Sequence, residues 1–179
     1  MNKNIILGIS ASIAAYKAPE IVRNFVGSGV SIQAILTPKA TDFIGRSTLE
    51  ALTGNVAPTF KDIGGHDYLK YIKLAKKADL IVIAPATANI IAHIAHGLAS
   101  DLLETLVLAR GCPLLIAPAM NENMWNNDIT QENVKKLKSL GVDFVGPAKG
   151  DLACGDEGTG RLASIEDIIA AAKKIIENK

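Results

Sequence analysis

The sequence is poor in aromatic residues, cysteine and net charge, and each shortage excludes a class of protein. Of its 179 residues 4% are aromatic and two are cysteine, so we expect two unpaired thiols rather than a disulfide framework. A formal net charge of +1 provides no electrostatic footprint for nucleic acid or a membrane surface. No apolar run approaches the roughly 18 residues of a spanning helix, and the first residues do not resemble a signal peptide. We therefore expect a cytoplasmic protein that binds neither.

The chain is rich instead in small and branched aliphatic side chains. Apolar residues make up 49% of it, and with few aromatics the core must consist of Ile, Leu, Val and Ala. This composition favours a parallel sheet covered by alanine-rich helices. The length is that of one domain, which we expect to span residues 1–179.

Short apolar runs alternate with segments of helical periodicity. They predict strands at 5–9, 31–36, 80–84, 114–117 and 142–145, a marginal strand at 56–60, and helices at 13–26, 38–44, 48–52, 68–77, 87–96, 101–109, 130–140 and 165–176. Residues 54–66 show no clear period and are predicted as a loop. Alternation of strands and helices, with fully apolar strands, predicts an α/β fold: a three-layer, Rossmann-like, doubly wound parallel sheet.

Polar loops follow four of the predicted strands, at 10–12, 37–39, 85–89 and 118–121. Right-handed crossovers bring the carboxyl ends of parallel strands, and the loops after them, to one edge of the sheet. We therefore expect these loops to form one crevice.

The first of these loops has the character of an anion site. It contains Ser10 and Ser12 at the start of a helix, where hydroxyls and backbone N–H groups suit a phosphate. Neither G-x-G-x-x-G nor G-x-x-x-x-G-K-[ST] is present, so a single phosphate, as in a mononucleotide, fits better than a pyrophosphate. The alternative is that both serines only cap the helix. The small polar turn at 85–89 suits the edge of a planar ring, although an N-capping turn has the same composition.

Two later segments carry groups typical of an active site. Pro118 begins a turn that presents the carboxamide of Asn121, and about thirty residues on Cys154 lies among four glycines. An amide can hold a carboxylate, and a thiol on a flexible loop with little apolar cover is open to chemistry. We therefore predict chemical roles for Asn121 and Cys154.

Other candidate residues have structural alternatives. His93 and His96 stand three apart on a predicted helix, but no third ligand has a suitable spacing, so we predict no metal site. Met120 and its neighbours Met124 and Trp125 fit either a cofactor wall or ordinary core packing. Cys112, at the start of a strand, is expected to be structural.

Five segments together resemble a known family. They are GISASIAAYK at 8–17, PATAN at 85–89, GLASDL at 97–102, PAMNENMW at 118–125 and ACGDEGTGR at 153–161, in the family's order and covering nearly the whole chain. On these segments the chain resembles the homo-oligomeric flavin-containing cysteine decarboxylases, and most closely their phosphopantothenoylcysteine decarboxylase branch in coenzyme A biosynthesis. The resemblance implies a fold of the flavoprotein type.

The resemblance also implies a cofactor, FMN, and the residues that contact it. Its phosphate would lie near Ala11, Ser12 and Ile13. The further contacts implied are Ala40 to Phe43, Thr87, Ala88, Asn89 and Ala119. FMN and substrate would lie at subunit interfaces of a homotrimer, or of a dodecamer built from trimers.

In the family, the flavin oxidises the cysteine moiety of the substrate, the resulting thioaldehyde loses carbon dioxide, and the flavin returns a hydride. By the resemblance, Asn121, beside Met120 in the substrate site, would hold the substrate carboxylate, and Cys154 would supply a proton. Lys76 is either an anion partner of the substrate or an ordinary solvated helix lysine.

One position departs from the family pattern. The family reads His-Ile-x-Leu-Ala-Lys-x-Ala-Asp before the third strand, with that His essential, and here Tyr71 takes its place. A phenol has a pKa of about 10 and is a poor base at neutral pH, whereas imidazole can accept and donate a proton there. Three explanations are open. Tyr71 acts through hydrogen bonding, or the substitution, natural or engineered, impairs catalysis. In the third, a partner subunit of a mixed trimer supplies the histidine. His66 would compensate only if the local helix were displaced.

The leading hypothesis is FMN-dependent decarboxylation of 4′-phosphopantothenoyl-L-cysteine to 4′-phosphopantetheine. The nearest alternative is a decarboxylase of the same family acting on a peptide's C-terminal cysteine, a branch that often lacks the counterpart of Cys154. A third is a non-catalytic flavin-binding regulatory subunit. In many bacteria the domain is fused to a ligase that joins cysteine to phosphopantothenate, so a fused or separate ligase is an expected partner.

Overall fold

A five-stranded parallel sheet forms the centre of the fold. In a computed structural model of the chain, residues 3–58, 68–151, 155 and 157–178 are described, with the backbone alone for 68–71. The strands are β1 (Asn4–Ile9), β2 (Ser31–Leu36), β3 (Leu80–Ala86), β4 (Leu114–Pro118) and β5 (Asp143–Phe144). They lie in the order β2-β1-β3-β4-β5, and every pair of neighbours is parallel.

Helices connect the strands and cover both faces of the sheet. They are α1 (Ala18–Gly27), α2 (Arg46–Thr53), α3 (Tyr68–Lys77), α4 (Ala88–Ala95), α5 (Leu102–Leu108), α6 (Glu122–Asn126), α7 (Asp128–Ser139) and α8 (Ile165–Glu177), with 3₁₀ turns at Ile13–Lys17 and Pro38–Asp42. Ser164 caps α8 as predicted, its hydroxyl accepting the N–H of Asp167 at 3.0 Å.

Alternation along the strands divides the core into two layers. Ile5, Leu7 and Ile9 of β1 are buried in a cluster with side chains of α1, α2 and α8. Ile6 belongs to the other cluster, with side chains of α3, α4, α5 and α7. Because successive strand residues point to opposite faces, both faces need apolar cover, which explains the continuous apolar runs. The predicted three-layer, doubly wound α/β fold is confirmed.

The glycine-rich segment near the end of the chain differs from the prediction of a flexible loop. Strands β6 (Ala148–Asp151) and β7 (Glu157–Arg161) form an antiparallel hairpin beside the main sheet. Gly158 and Gly160 are strand residues of β7. Glycine is disfavoured in strands by propensity, so composition alone pointed to a loop.

Three other local predictions need correction. The single helix expected at 13–26 is a 3₁₀ turn followed by α1, whose first turn contains Pro19. The short helix α6 was not predicted, and it precedes α7. Residues 56–58 of the marginal strand adopt no regular structure, and residues 59 and 60 lie outside the described part of the chain, as does most of the loop predicted at 54–66.

Candidate active site

The loops after the first four strands lie along one edge of the sheet, as predicted. The chain leaves β1 toward β2 on one side, and β3 lies on the other side of β1. Such a switch point leaves a crevice outside the carboxyl ends of the strands, where open α/β sheets bind ligands.

A cavity of about 600 Å³ opens at this edge. Three parts of the chain line it: the turn after β1, the segment after β4, and the hairpin with the residue that follows it. The lining residues are Ser12, Ile13, Ala14, Tyr16, Lys17, Ala119, Met120, Asn121, Asp151, Gly160, Arg161 and Leu162. The structure thus brings together five of the predicted site residues: Ser12, Ile13, Ala119, Met120 and Asn121.

Ser10 and Ser12 have different tasks. Ser10 is 2% exposed, and its hydroxyl donates to the carbonyl of Pro85 at 2.8 Å and accepts the N–H of Thr87 at 3.0 Å. It therefore joins the turn after β1 to the end of β3 and to the first residue after that strand. Ser12 caps the following 3₁₀ turn, its hydroxyl accepting the N–H of Ala14 at 3.3 Å. Its side chain also lines the cavity.

Asn121 is the N-cap of α6. Its Oδ1 accepts the N–H of Asn123 at 2.9 Å, which orients the amide at the cavity wall. A carboxylate accepts hydrogen bonds only, so the group that could hold one is the opposite half of the amide, the Nδ2 donor.

The hairpin lies directly against this turn. Met120 donates its N–H to the carbonyl of Gly160 at 2.9 Å. A Cβ on Gly160 would overlap the carbonyl oxygen of Met120, so only glycine permits this approach. The contact brings Gly160 and Arg161 into the cavity wall opposite the turn after β1.

The remaining predicted cofactor residues do not line this cavity but lie on the same edge. Ala40, in the turn after β2, is fully buried, whereas Phe43 is 43% exposed. Thr87 caps α4 through Ile90, with Ala88 half-buried and Asn89 exposed in its first turn. Ala11 adjoins Ser12 without lining the cavity.

Two of the predicted residues, Tyr71 and Cys154, lie partly or wholly outside the described part of the chain. The backbone of Tyr71 lies in α3, but its side chain is outside the described part, and Cys154 is outside it altogether. Lys76, also on α3, is exposed and does not line the cavity. Cys112 is buried just before β4, in keeping with the expected structural role.

The charged side chains of the cavity were not singled out from the sequence. Lys17 and Arg161 supply two cations and Asp151 one carboxylate. Lys17 and Arg161 are the last residues of two of the family-like segments. That position in the segments was the sequence signal that could have identified them. A cavity with two cations and one anion favours an anionic ligand.

His96 bonds to its own helix, whereas His93 joins α4 to α5. The Nδ1 of His93 lies 2.5 Å from Oε1 of Glu104, and that of His96 lies 2.8 Å from the carbonyl of Ala92. Glu104 also accepts from the N–H and the hydroxyl of Ser100. Burial opposes ionisation of Glu104, but these hydrogen bonds from Ser100 and His93 hold its pKa below the ordinary value.

The described residues include neither a metal-binding cluster nor a membrane-spanning helix. No cluster of three or more His, Cys, Asp or Glu side chains there has the geometry to hold a metal ion. Within the same residues, every helix is too short or too polar to cross a bilayer.

Comparison with known proteins gives consistent matches. The sequence model of a family described as Flavoprotein matches residues 1–177. The bifunctional coenzyme A biosynthesis protein CoaBC of Vibrio vulnificus is 42% identical over 178 residues, which are 99% of this chain and 44% of that protein. The protein of the same name from Escherichia coli is 42% identical over 161 residues, 89% of this chain and 40% of its own. The chain thus spans less than half the length of these relatives.

Solved structures match over the whole chain. A cysteine-to-serine mutant of a PPC decarboxylase in complex with pantothenoylaminoethenethiol is 31% identical with a TM-score of 0.89, covering 99% of this chain and 100% of that one. The FMN-binding protein AtHal3 is also 31% identical, with a TM-score of 0.86 and coverage of 100% and 99%.

Proposed function

The chain belongs to the flavoprotein family, and from that premise we propose that it is an FMN-dependent decarboxylase converting 4′-phosphopantothenoyl-L-cysteine to 4′-phosphopantetheine. It is homologous to phosphopantothenoylcysteine decarboxylases and to proteins of coenzyme A biosynthesis. The proposal depends on one observation: Asn121 and the turn at Ser12, which is suited to binding a phosphate, line the same cavity.

The residues at this edge fit FMN. The turn after β1 offers the hydroxyl proton of Ser12 at the start of a helical turn, a position that favours a phosphate, while the N–H groups of Ala14 and Ala15 are bonded to Ser12 itself. Ala119 in the cavity wall is small, as are Ala11 and Ala88 on the same edge of the sheet, and about 600 Å³ is within the usual size of a cofactor pocket. The other proposed contacts are Ile13, Ala40, Phe43, Thr87 and Asn89. When bound, FMN supplies the two-electron oxidation of the cysteine moiety and its later reduction.

The protein's own residues bind and orient the substrate. Nδ2 of Asn121 would donate to the carboxylate that leaves as carbon dioxide, and Met120 would line the site beside it. Lys17 and Arg161 would attract the anionic substrate. Lys76 is exposed on α3 and would act as an anion partner only at a distance from this cavity.

Cys154 would supply the proton that completes the product. It stands in sequence between Asp151 and Gly160, both of which line the cavity. Tyr71 would act through hydrogen bonding in place of the family's histidine. It belongs to α3, the helix that precedes β3 in the chain.

We further propose a homotrimer, or a dodecamer of trimers, in which a neighbouring subunit closes the site. Ile13 and Tyr16 line the cavity and are 59% and 63% exposed. Large apolar side chains left open at a binding site are typical of a surface that a partner covers. A fused or separate phosphopantothenate–cysteine ligase would supply the substrate, in the cytoplasm.

The test begins with purified protein and the absorbance of an oxidised flavin. Carbon dioxide release is then compared for the phosphorylated substrate and for a peptide with a C-terminal cysteine. We expect release from the first; release only from the peptide would establish the peptidyl-cysteine alternative, and flavin without release would contradict both activities.

Tyr71→His resolves that last case. Release that appears only with this variant means that the tyrosine impairs catalysis. Release that appears only after mixing with a histidine-bearing homologue means that a partner subunit supplies the imidazole. Absence of release under all these conditions leaves the regulatory flavin-binding subunit.

A further inference from the structure

A carboxylate that the proposed reaction does not use joins the hairpin to the turn carrying Asn121. Glu122 directly follows Asn121 and begins α6. Its Oε1 accepts the N–H of Thr159 in β7 at 2.8 Å. The side chain is half-buried and therefore partly shielded from water. A hydrogen bond to an ionised acceptor is stronger than one between neutral groups.

Gly158 provides the space that this carboxylate occupies. A Cβ added to Gly158 would lie 2.5 Å from Oε2 and 2.6 Å from Cδ of Glu122. The backbone of Gly158 is not in the left-handed region, so alanine is conformationally acceptable there. A methyl group at this position would therefore displace the end of the Glu122 side chain, whereas the backbone of Gly158 would tolerate it.

Asn121 is thus held from both sides. Before it, Met120 donates its N–H to Gly160, and after it, Glu122 accepts from Thr159. The same strand places Gly160 and Arg161 in the cavity wall. Both contacts help to set the distance between Asn121 and this wall, and the second of them uses a side chain.

We infer that Glu122 is a positioning residue, whose carboxylate holds β7 at the separation from Asn121 at which both cavity walls contact one substrate. The part of this inference that concerns substrate rests on the proposed function. The part that concerns β7 rests on the hydrogen bond to Thr159 and on the packing against Gly158.

Steady-state kinetics of the flavin-loaded protein test the first part. Glu122→Ala removes the acceptor, so KM for the phosphorylated substrate should rise about three- to tenfold, the usual size of one such hydrogen bond, with a smaller change in kcat. Glu122→Gln keeps an acceptor at Oε1 and should restore KM to within about twofold. Glu132→Ala removes an exposed carboxylate from the nearby helix α7 and should leave KM unchanged.

Hydrogen exchange of the peptide covering β7 tests the second part without substrate. The Thr159 amide should exchange faster in Glu122→Ala than in the wild type, Glu122→Gln or Glu132→Ala. Exchange at α8 serves as the internal reference, because α8 lies outside this contact.

A double-mutant cycle with Gly158 provides a stricter test. Gly158→Ala alone places a methyl group against the carboxylate, so it should raise KM and speed exchange of β7. In the Glu122→Ala background the obstacle is gone, and the same substitution should change neither. Equal effects of Gly158→Ala in both backgrounds would overturn the inference.

The inference is also overturned if Glu122→Ala leaves KM at the wild-type value, even if exchange of β7 becomes faster. The carboxylate would then hold the strand without affecting substrate binding in the cavity. A wild-type protein that binds flavin but decarboxylates nothing would refute the proposed function instead, and the statement about substrate would fall with it. Exchange and the Gly158 cycle separate the two cases.

Discussion

We propose separate tasks for the two halves of the Asn121 amide, and one substitution can distinguish them. Its Oδ1 caps α6 by accepting from Asn123, whereas the proposed carboxylate contact needs Nδ2. Asn121→Asp keeps a good capping oxygen but replaces the donor with a second negative charge. We expect thermal stability close to the wild type and a loss of substrate turnover of at least about a hundredfold, since a good donor becomes a repelling acceptor.

The matched control is Asn126→Asp, which adds the same charge at an exposed position of the same helix. It should leave turnover nearly unchanged. Normal substrate affinity in Asn121→Asp would contradict the role proposed for the amide.

Cys154 is proposed to act after carbon dioxide has left. Cys154→Ser should retain bound flavin and release carbon dioxide, yet stop at the oxidised, decarboxylated enethiol because a hydroxyl is a far weaker acid than a thiol. Mass spectrometry of the products distinguishes the enethiol from the reduced thiol. Cys112→Ser is the control, since Cys112 is buried before β4, at the opposite edge of the sheet. A normal yield of reduced product from Cys154→Ser would remove that thiol from the mechanism.

At the scale of elements, Ser10 links the first and third strands of the chain where they end. Ser10→Ala leaves the N–H of Thr87 without this acceptor, while the carbonyl of Pro85 keeps the backbone N–H of residue 10 as a donor at 3.2 Å. We expect a loss of about 1–3 kcal/mol in the free energy of unfolding, the usual cost of a shielded polar group without its partner. Urea denaturation measures it.

Ser47→Ala, at an exposed position on α2, should change the free energy of unfolding by less than about 0.5 kcal/mol. If Ser10→Ala were equally mild, water would be replacing the hydroxyl and the link between the loops would contribute little.

The contact between α4 and the start of α5 should make stability depend on pH. The pKa of Glu104 is lowered, so its folded-state interactions stabilise the protein above the ordinary value of 4.5 and are lost as pH falls through the folded-state pKa. Glu104→Gln should therefore lower Tm clearly at pH 7 and less as the pH drops below 4.5.

Burial raises the pKa of Asp101, the N-cap of α5. Its effect on the pH dependence of stability is therefore opposite to that of Glu104. The negative charge of Glu104 is one of the causes that raise the pKa of Asp101, after burial, so Glu104→Gln also removes a part of that upward shift. A difference that stays constant across this pH range would show that the Glu104 charge does not contribute to stability.

At the scale of the whole molecule, the open cavity predicts an assembly. Light scattering should give a mass that is a multiple of three chains of 18.9 kDa. Tyr16→Asp places a charge on the exposed ring at the cavity and should yield smaller species. Leu140→Asp, 65% exposed after α7, should not. A wild-type monomer with stoichiometric flavin would contradict the proposed interface.

The sequence predicted the fold well because its signals are local. Continuous apolar runs such as Ile5–Ile9 and Leu80–Ala84 mark strands buried on both faces, and the loops after them meet at one edge for any right-handed parallel arrangement. Asn121 and Ser12 were therefore predicted to share a crevice, and they line one cavity. A chemical role for Cys154 was predicted from the glycines around it, whereas its role as proton donor and the assignment of Tyr71 came from the family resemblance; all three stay predictions.

Tertiary structure alone decided which polar groups are partners across long separations. Ser10 meets Pro85, 75 residues away, and Glu122 meets Thr159, 37 residues away. Neither serine nor glutamate carries a periodic signal, since a hydrogen bond depends on where two distant segments come to lie. The same reason explains β7, whose glycines look like a loop in sequence but permit close packing against Met120 and Glu122. Hydrophobic periodicity determined the layers of the sheet, and contacts between segments far apart in the chain determined the walls of the cavity.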